Sequence, residues 1–198
     1  TLRTNTIIVV ASDNGPEPGA GSAGPFRGHK GTLYEGGFRE PLIVWGPGFQ
    51  SKSVKGTINK TTVVSGLDLF PTIARLAKAK MPAGKKFDGE DLSDAFLGKT
   101  KDKRSTALFW IRPSDRSGDH AKKWPDLAMR EKDWKLLMMR DGSDVQLYDL
   151  GKDLGEANNV AAQHPEIVKN MSRSLLAWSR SLPTTQLLAA KAKKSVTP

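Results

Sequence analysis

The sequence predicts an α/β chain in two parts: a piece of a covered sheet, then a small antiparallel sheet closed by one long helix. Three observations carry this. The run Ile7–Ala11 is apolar and rich in β-branched residues, without polar alternation, which suits a strand covered on both faces in a parallel sheet. Short strand-like runs succeed one another between Ala107 and Leu150, with Asp141-Gly142 as a strong turn signal before the last. From about Pro165 to Ser181, the residues Ile167, Met171, Leu175 and Trp178 recur on one helical stripe.

Taken in order, the first strand stops at Ser12-Asp13-Asn14-Gly15, which puts a carboxylate and an amide at its C-terminal end. That end is where open α/β sheets bind ligands. A glycine-rich loop follows, carrying Arg27, His29 and Lys30, and a second apolar run, Pro41 to Trp45, returns the chain to the sheet. Phe49 to Thr62, including Lys52, is polar and reads as a surface excursion. Asp68 is placed as an N-cap, with Leu69, Ile73, Leu76 and Ala77 on the packing face of the helix after it. Leu92 to Leu97 is a short helix ending at Gly98.

The charge-rich stretch Lys99 to Arg104 marks the expected boundary between residues 1–104 and 105–198. Beyond it, strands are expected at Ala107–Ile111, Asp126–Arg130, Trp134–Met139 and Val145–Leu150. His120 and His164 are read as loop and helix-start residues. The Ala-Lys-rich tail from Leu187 is expected to fray.

The formal charge is +10, unevenly spread: residues 1–98 carry 12 basic against 9 acidic side chains, and 99–198 carry 19 against 12. A basic surface favours polyanions, sulfated glycans or nucleic acid among them, and also simply keeps a chain in solution. There is no cysteine, so disulfides and thiolate metal sites within the chain are excluded. No apolar run approaches the roughly 20 residues that span a bilayer, so no membrane span is expected.

Asp13 and Asn14 offer hard oxygens suited to Ca²⁺ or Mg²⁺, although Asp-Asn-Gly after a strand is also a common capped turn. Lys30, between Gly28 and Gly31, can reach an anion without steric obstruction. His29 can hydrogen-bond a substrate hydroxyl near neutral pH. Glu35 and Arg39 flank Gly36-Gly37 as a pair that braces the loop. Trp110, Arg112 and Trp124 are read first as packing.

These residues carry a resemblance. Ser12-Asp13-Asn14-Gly15, then G-x-K-G-T-x-Y-E-G-G-x-R-x-P from Gly28 to Pro41, closely resembles the second half of the type I, formylglycine-dependent sulfatases. Asp68-Leu69-Phe70-Pro71-Thr72, Phe87-Asp88-Gly89, Asp133-Trp134-Lys135-Leu136 and Leu147-Tyr148-Asp149-Leu150 with Glu156-Ala157-Asn158-Asn159 follow in the family's order. The resemblance implies the C-terminal part of an alkaline-phosphatase-like α/β/α sandwich in residues 1–104. It further implies a small antiparallel β subdomain with a C-terminal helix in 105–198. It implies hydrolysis of a sulfate ester, with Asp13 and Asn14 as Ca²⁺ ligands (Mg²⁺ the alternative) and Lys30 contacting the sulfate; His29 is peripheral.

The family's nucleophile lies in a C/S-x-P/A-x-R motif, oxidised to formylglycine, and no such motif occurs here. Ser181-Leu182-Pro183-Thr184-Thr185 lacks the arginine and reads as coil. The N-terminal half of the same protein is therefore the expected partner, and the chain alone is expected to be inactive. The substrate is expected to be a sulfated small molecule or glycan; nucleic acid is not. A periplasmic or extracellular parent is implied by the family alone. A phosphoesterase of the same superfamily, or a non-catalytic polyanion-binding module, stays open as an alternative.

Overall fold

The computed structural model describes residues 4–47, 50, 54–112 and 124–183. Lys52, His120 and the tail from Leu187 lie outside the described residues. Strand β1 (Ile8–Ala11) pairs with β2 (Leu42–Trp45) in a two-stranded sheet, in the register Ile8 to Trp45 and Val10 to Ile43. The pairing is antiparallel, which corrects the parallel expectation. An unalternating apolar run calls for cover on both faces but says nothing of its neighbour's direction. The connection between them folds back on itself, with Gly15 N–H donating to Gly37 O, and carries only a four-residue helix, α1 (Glu35–Phe38). Nor are the faces covered: Ile8, Val10, Ile43 and Trp45 are exposed, and their register puts all four on one side.

Asp68 does not cap helix α2 (Leu69–Leu76); that too corrects the expectation. Ser65 starts a 3₁₀ turn, Gly66–Asp68, with a reciprocal capping box in which Asp68 Oδ2 accepts from the Ser65 N–H at 2.7 Å. Asp68 itself is fully buried, accepting from the Glu90 N–H at 2.8 Å and pairing with the buried Arg104 at 2.5 Å. The buried side of α2 is Pro71 and Thr72, while Ile73 is 51% exposed, so the face expected to pack stays open. Thr72 Oγ1 accepts from the Leu92 N–H at 2.9 Å, just before α3 (Ser93–Phe96). The positive φ of Gly98 ends that turn as expected.

Glu90 holds the start of the second part. Its carboxylate accepts from Ser105 Oγ at 2.8 Å and from the Thr106 N–H at 2.6 Å. Burial pushes its carboxyl up, but these donations outweigh it and hold the group below its ordinary range. A depressed carboxyl stabilises the fold above its unfolded value, roughly pH 4.3, and loses that contribution as pH falls through the folded value. Glu90→Gln should therefore lower stability at neutral pH and flatten the loss on acidification below about pH 4.3. Urea midpoints across pH 3 to 7 for both forms check this.

Strands β3 (Leu108–Ile111), β4 (Leu127–Glu131), β5 (Trp134–Met138) and β6 (Gln146–Asp149) form an antiparallel meander in that order. Alternation gives the sheet two apolar faces. Leu127, Met129, Leu136, Met138 and Leu147 meet Met171 and Leu175 of helix α4 (Pro165–Ser181). Trp178 stacks on Phe109 with ring centroids 5.2 Å apart. On the other face Ala128, Leu137 and Tyr148 pack against Leu33 and Tyr34 of the glycine-rich loop. Among the described residues no helix is long and apolar enough to cross a membrane.

Candidate functional site

The loop from Gly15 to Phe38 is folded on itself by backbone hydrogen bonds. The Gly15 N–H donates to Gly37 O at 2.9 Å, Lys30 N–H to Pro16 O at 3.0 Å and Gly36 N–H to Arg27 O at 2.7 Å. Such close approach excludes side chains. A Cβ on Gly36 would stand 2.6 Å from Arg27 O, and one on Gly37 would stand 2.2 Å from Thr32 O. Two adjacent glycines are therefore what the fold requires there.

Asp13 lies exposed just beyond β1. Asn14 donates through Nδ2 to Gly15 O at 3.0 Å, and its Oδ1 carries no hydrogen bond among the described residues. A carboxylate and an uncommitted amide oxygen side by side fit a hard cation. They are two ligands where Ca²⁺ takes about 6–8. Among the described residues no group of three or more His, Cys, Asp or Glu could hold a metal ion.

Lys30 is partly exposed, at 38%, and its Nζ lies 2.9 Å from Glu17 Oε2. His29 Nδ1 contacts Lys30 O at 2.9 Å, and its ring stands edge-on to Trp124 at 5.7 Å. Thr32 Oγ1 donates to His29 O at 2.8 Å, tying down the turn that carries both side chains. The structure thus joins the Lys30 turn to the residue two past Asn14. Trp110 stacks on Phe38 at 4.7 Å, and Arg112 pairs with Asp126 at 3.2 Å, so both serve packing. His164, at the start of α4, packs on Trp134 at 4.9 Å.

Beneath the loop lies an ionic cluster that sequence reasoning found only in part. Arg39 pairs with Glu35 Oε2 at 2.8 Å, the expected brace. Lys135, fully buried on β5, sits 2.9 Å from Glu35 Oε1 and 2.8 Å from Glu156 Oε1, with Nζ 4.5 Å from the centre of the Phe38 ring. Glu156 Oε2 accepts from the Glu35 N–H at 2.6 Å. Burial raises the Glu35 carboxyl, but Lys135 and Arg39 outweigh it and hold the group below its usual range. For Glu156 burial wins over Lys135 and the carboxyl is pushed up. The available signal was a lysine inside the apolar strand Trp134–Met138: a buried ammonium must be paired.

Arg27 completes the attachment. Its Nη1 donates to Tyr148 Oη at 2.9 Å and to Glu156 O at 3.1 Å, and its guanidinium lies 4.1 Å above the Tyr34 ring. Burial pushes the Tyr148 phenol up to about 12 despite Arg27, so it stays protonated and donates to Gln146 Oε1 at 2.9 Å. A groove of about 500 Å³ opens beside this contact, lined by Arg27, Gln146, Tyr148 and Asn159 among others. Its lining includes none of Asp13, Asn14, His29 and Lys30.

A lysine, a carboxylate and an amide thus stand on or beside a glycine-tight loop after a strand of a mixed α/β protein. Comparison with known proteins makes this specific. Residues 1–79 match the family model described as Sulfatase. A sulfatase from Formosa agariphila is 32% identical over 191 residues, covering 89% of this chain and 33% of the relative. Human arylsulfatase A is 32% identical over 230 residues, covering 99% and 40%. The solved structure of Ps i-CgsB in complex with k-i-k-neocarrahexaose superposes with a TM-score of 0.72 at 29% identity, covering 89% and 37%. Over most of its length the chain is similar to sulfatases, and it matches the C-terminal part of larger ones. It spans about a third of the first of these relatives' length.

Proposed function

We propose that this chain is the part of a sulfate-ester hydrolase that supplies the sulfate-clamping lysine and two of the calcium ligands. The carrying observation is the pair of backbone hydrogen bonds, Lys30 to Pro16 and Gly15 to Gly37, that joins the Asp13-Asn14 turn to the Lys30 turn. Lys30 donates to the sulfate oxygens as charge builds on them. To do so it leaves Glu17, whose exposed ion pair contributes about 0–1 kcal/mol and yields readily to a doubly held anion. Asp13 and Asn14 would hold Ca²⁺, with Mg²⁺ the alternative, and the ion would supply positive charge to the sulfate oxygens. His29, edge-on to Trp124, offers a hydrogen bond to a substrate hydroxyl.

The remaining calcium oxygens and the formylglycine nucleophile come from residues outside this chain, in the N-terminal half of the same protein. That half also covers the open face of β1 and β2 and the exposed Phe70 and Ile73 of α2. The substrate is a sulfated small molecule or glycan, a choice supported by the hexaose bound to Ps i-CgsB. A chromogenic aryl sulfate with calcium tests this. The full-length parent should turn it over, and this chain alone should match the blank. Turnover by the chain alone, abolished by a substitution within it, would refute the division of labour.

A further inference from the structure

We propose that Lys135, with Glu35 and Glu156, is a positioning device for the loop that carries His29 and Lys30; this rests on the sulfate-clamping reading of Lys30. The loop is gripped at both ends by the second sheet and the segment following it. At one end Arg27 is held by Tyr148 and by Glu156 O. At the other, the Glu35 N–H and carboxylate are held by Glu156 and Lys135. Tyr34 adds a third attachment, donating to Gln146 Oε1 at 2.8 Å. His29 and Lys30 lie between the grips, so the C-terminal sheet sets where Lys30 stands.

Stability alone does not explain such a cluster. Taking an ammonium and two carboxylates out of water is costly, and apolar replacement of a buried ionic group is often neutral or stabilising. The Lys135 to Glu156 contact is an ion pair only, since Glu156 Oε1 has no aligned hydrogen bond. What the cluster does provide is direction. One ammonium must face two carboxylates, and one of those must also face the Glu35 N–H, so the loop has a single seat on the sheet. A greasy contact such as Leu33 against Leu137 tolerates sliding; this cluster does not.

The test uses the full-length parent carrying Glu35→Gln, Lys135→Met and Glu156→Gln together, which removes the charges while leaving acceptors for the backbone. Hydrogen exchange should rise at least tenfold at Thr32, Gly36 and Gly37, while Leu136 and Leu147 on the sheet keep their protection. Aryl sulfate turnover should fall at least tenfold, with the loss in kcat and KM within about twofold. Unchanged exchange at the three loop amides overturns the proposal. So does a rise in loop exchange with native kcat. A parallel Lys30→Ala parent separates the two ideas: if it is fully active the sulfate reading itself has failed, whatever the loop does.

Discussion

Lys30→Ala in the full-length parent should lower kcat/KM by about a hundredfold or more, because one charged donor to a transition state in a water-poor site contributes on the order of 3 kcal/mol. The fold should hardly register the change. The Glu17 partner is 62% exposed, and breaking such a pair shifts stability by about 1 kcal/mol or less. Rate and melting temperature should thus separate cleanly. Lys30→Arg should restore only part of the rate, since a planar fork replaces a compact charge on the same stem. Lys152→Ala, a lysine 86% exposed on the turn after β6, is the matched control and should leave both quantities unchanged. Equal activity of the Lys30→Ala and Lys152→Ala parents would make Lys30 an ordinary surface residue.

Asp68→Ala should act in the opposite way, unfolding without any direct part in chemistry. The substitution strips Arg104 of its partner inside the protein, where Nη2 already lacks one. It also orphans the N–H groups of Ser65 and Glu90. Breaking a buried pair from one side costs about 3–5 kcal/mol. For a chain of this size that corresponds to a fall on the order of 10 °C in Tm. Calorimetry of the isolated chain checks it. A loss below about 1 kcal/mol would mean that water reaches Arg104 and that the pair is not the staple between α2 and the Glu90–Arg104 segment.

The second sheet was legible because its signals are local. Asp141-Gly142 turns the chain where Gly142 adopts φ +87°, and the strands lie within a residue or two of their expected bounds. The stripe from Ile167 to Trp178 likewise buries Met171 and Leu175. The first part was harder to read, for a physical reason. Ile7–Ala11 and Leu69–Ala77 leave exposed the apolar side chains Ile8, Val10 and Ile73 that their pattern marks for burial, so the pattern misjudged direction and packing face. Asp68 was misread as a cap because its actual partner, Arg104, lies 36 residues away. The site divided the same way. Lys30, Asp13 and Asn14 stand in contiguous motifs, whereas the cluster of Glu35, Lys135 and Glu156 exists only once the fold has brought together residues 121 apart.

The open side of the β1–β2 pair has a colloidal consequence. Among the described residues each strand has one strand neighbour, the side chain of Gln50 covers part of the free edge of β2 at Val44 O, and the side formed by Ile8, Val10, Ile43 and Trp45 is apolar. Edges of this kind template strand addition between molecules. At low ionic strength the net charge of +10 keeps copies apart. At 1 M salt the screening length shrinks to about 3 Å, less than the spacing between two strands, and that repulsion no longer reaches across the gap. The isolated chain is therefore expected to stay dispersed in dilute buffer and to self-associate in concentrated salt through the open side of β1 and β2, which light scattering against salt concentration checks.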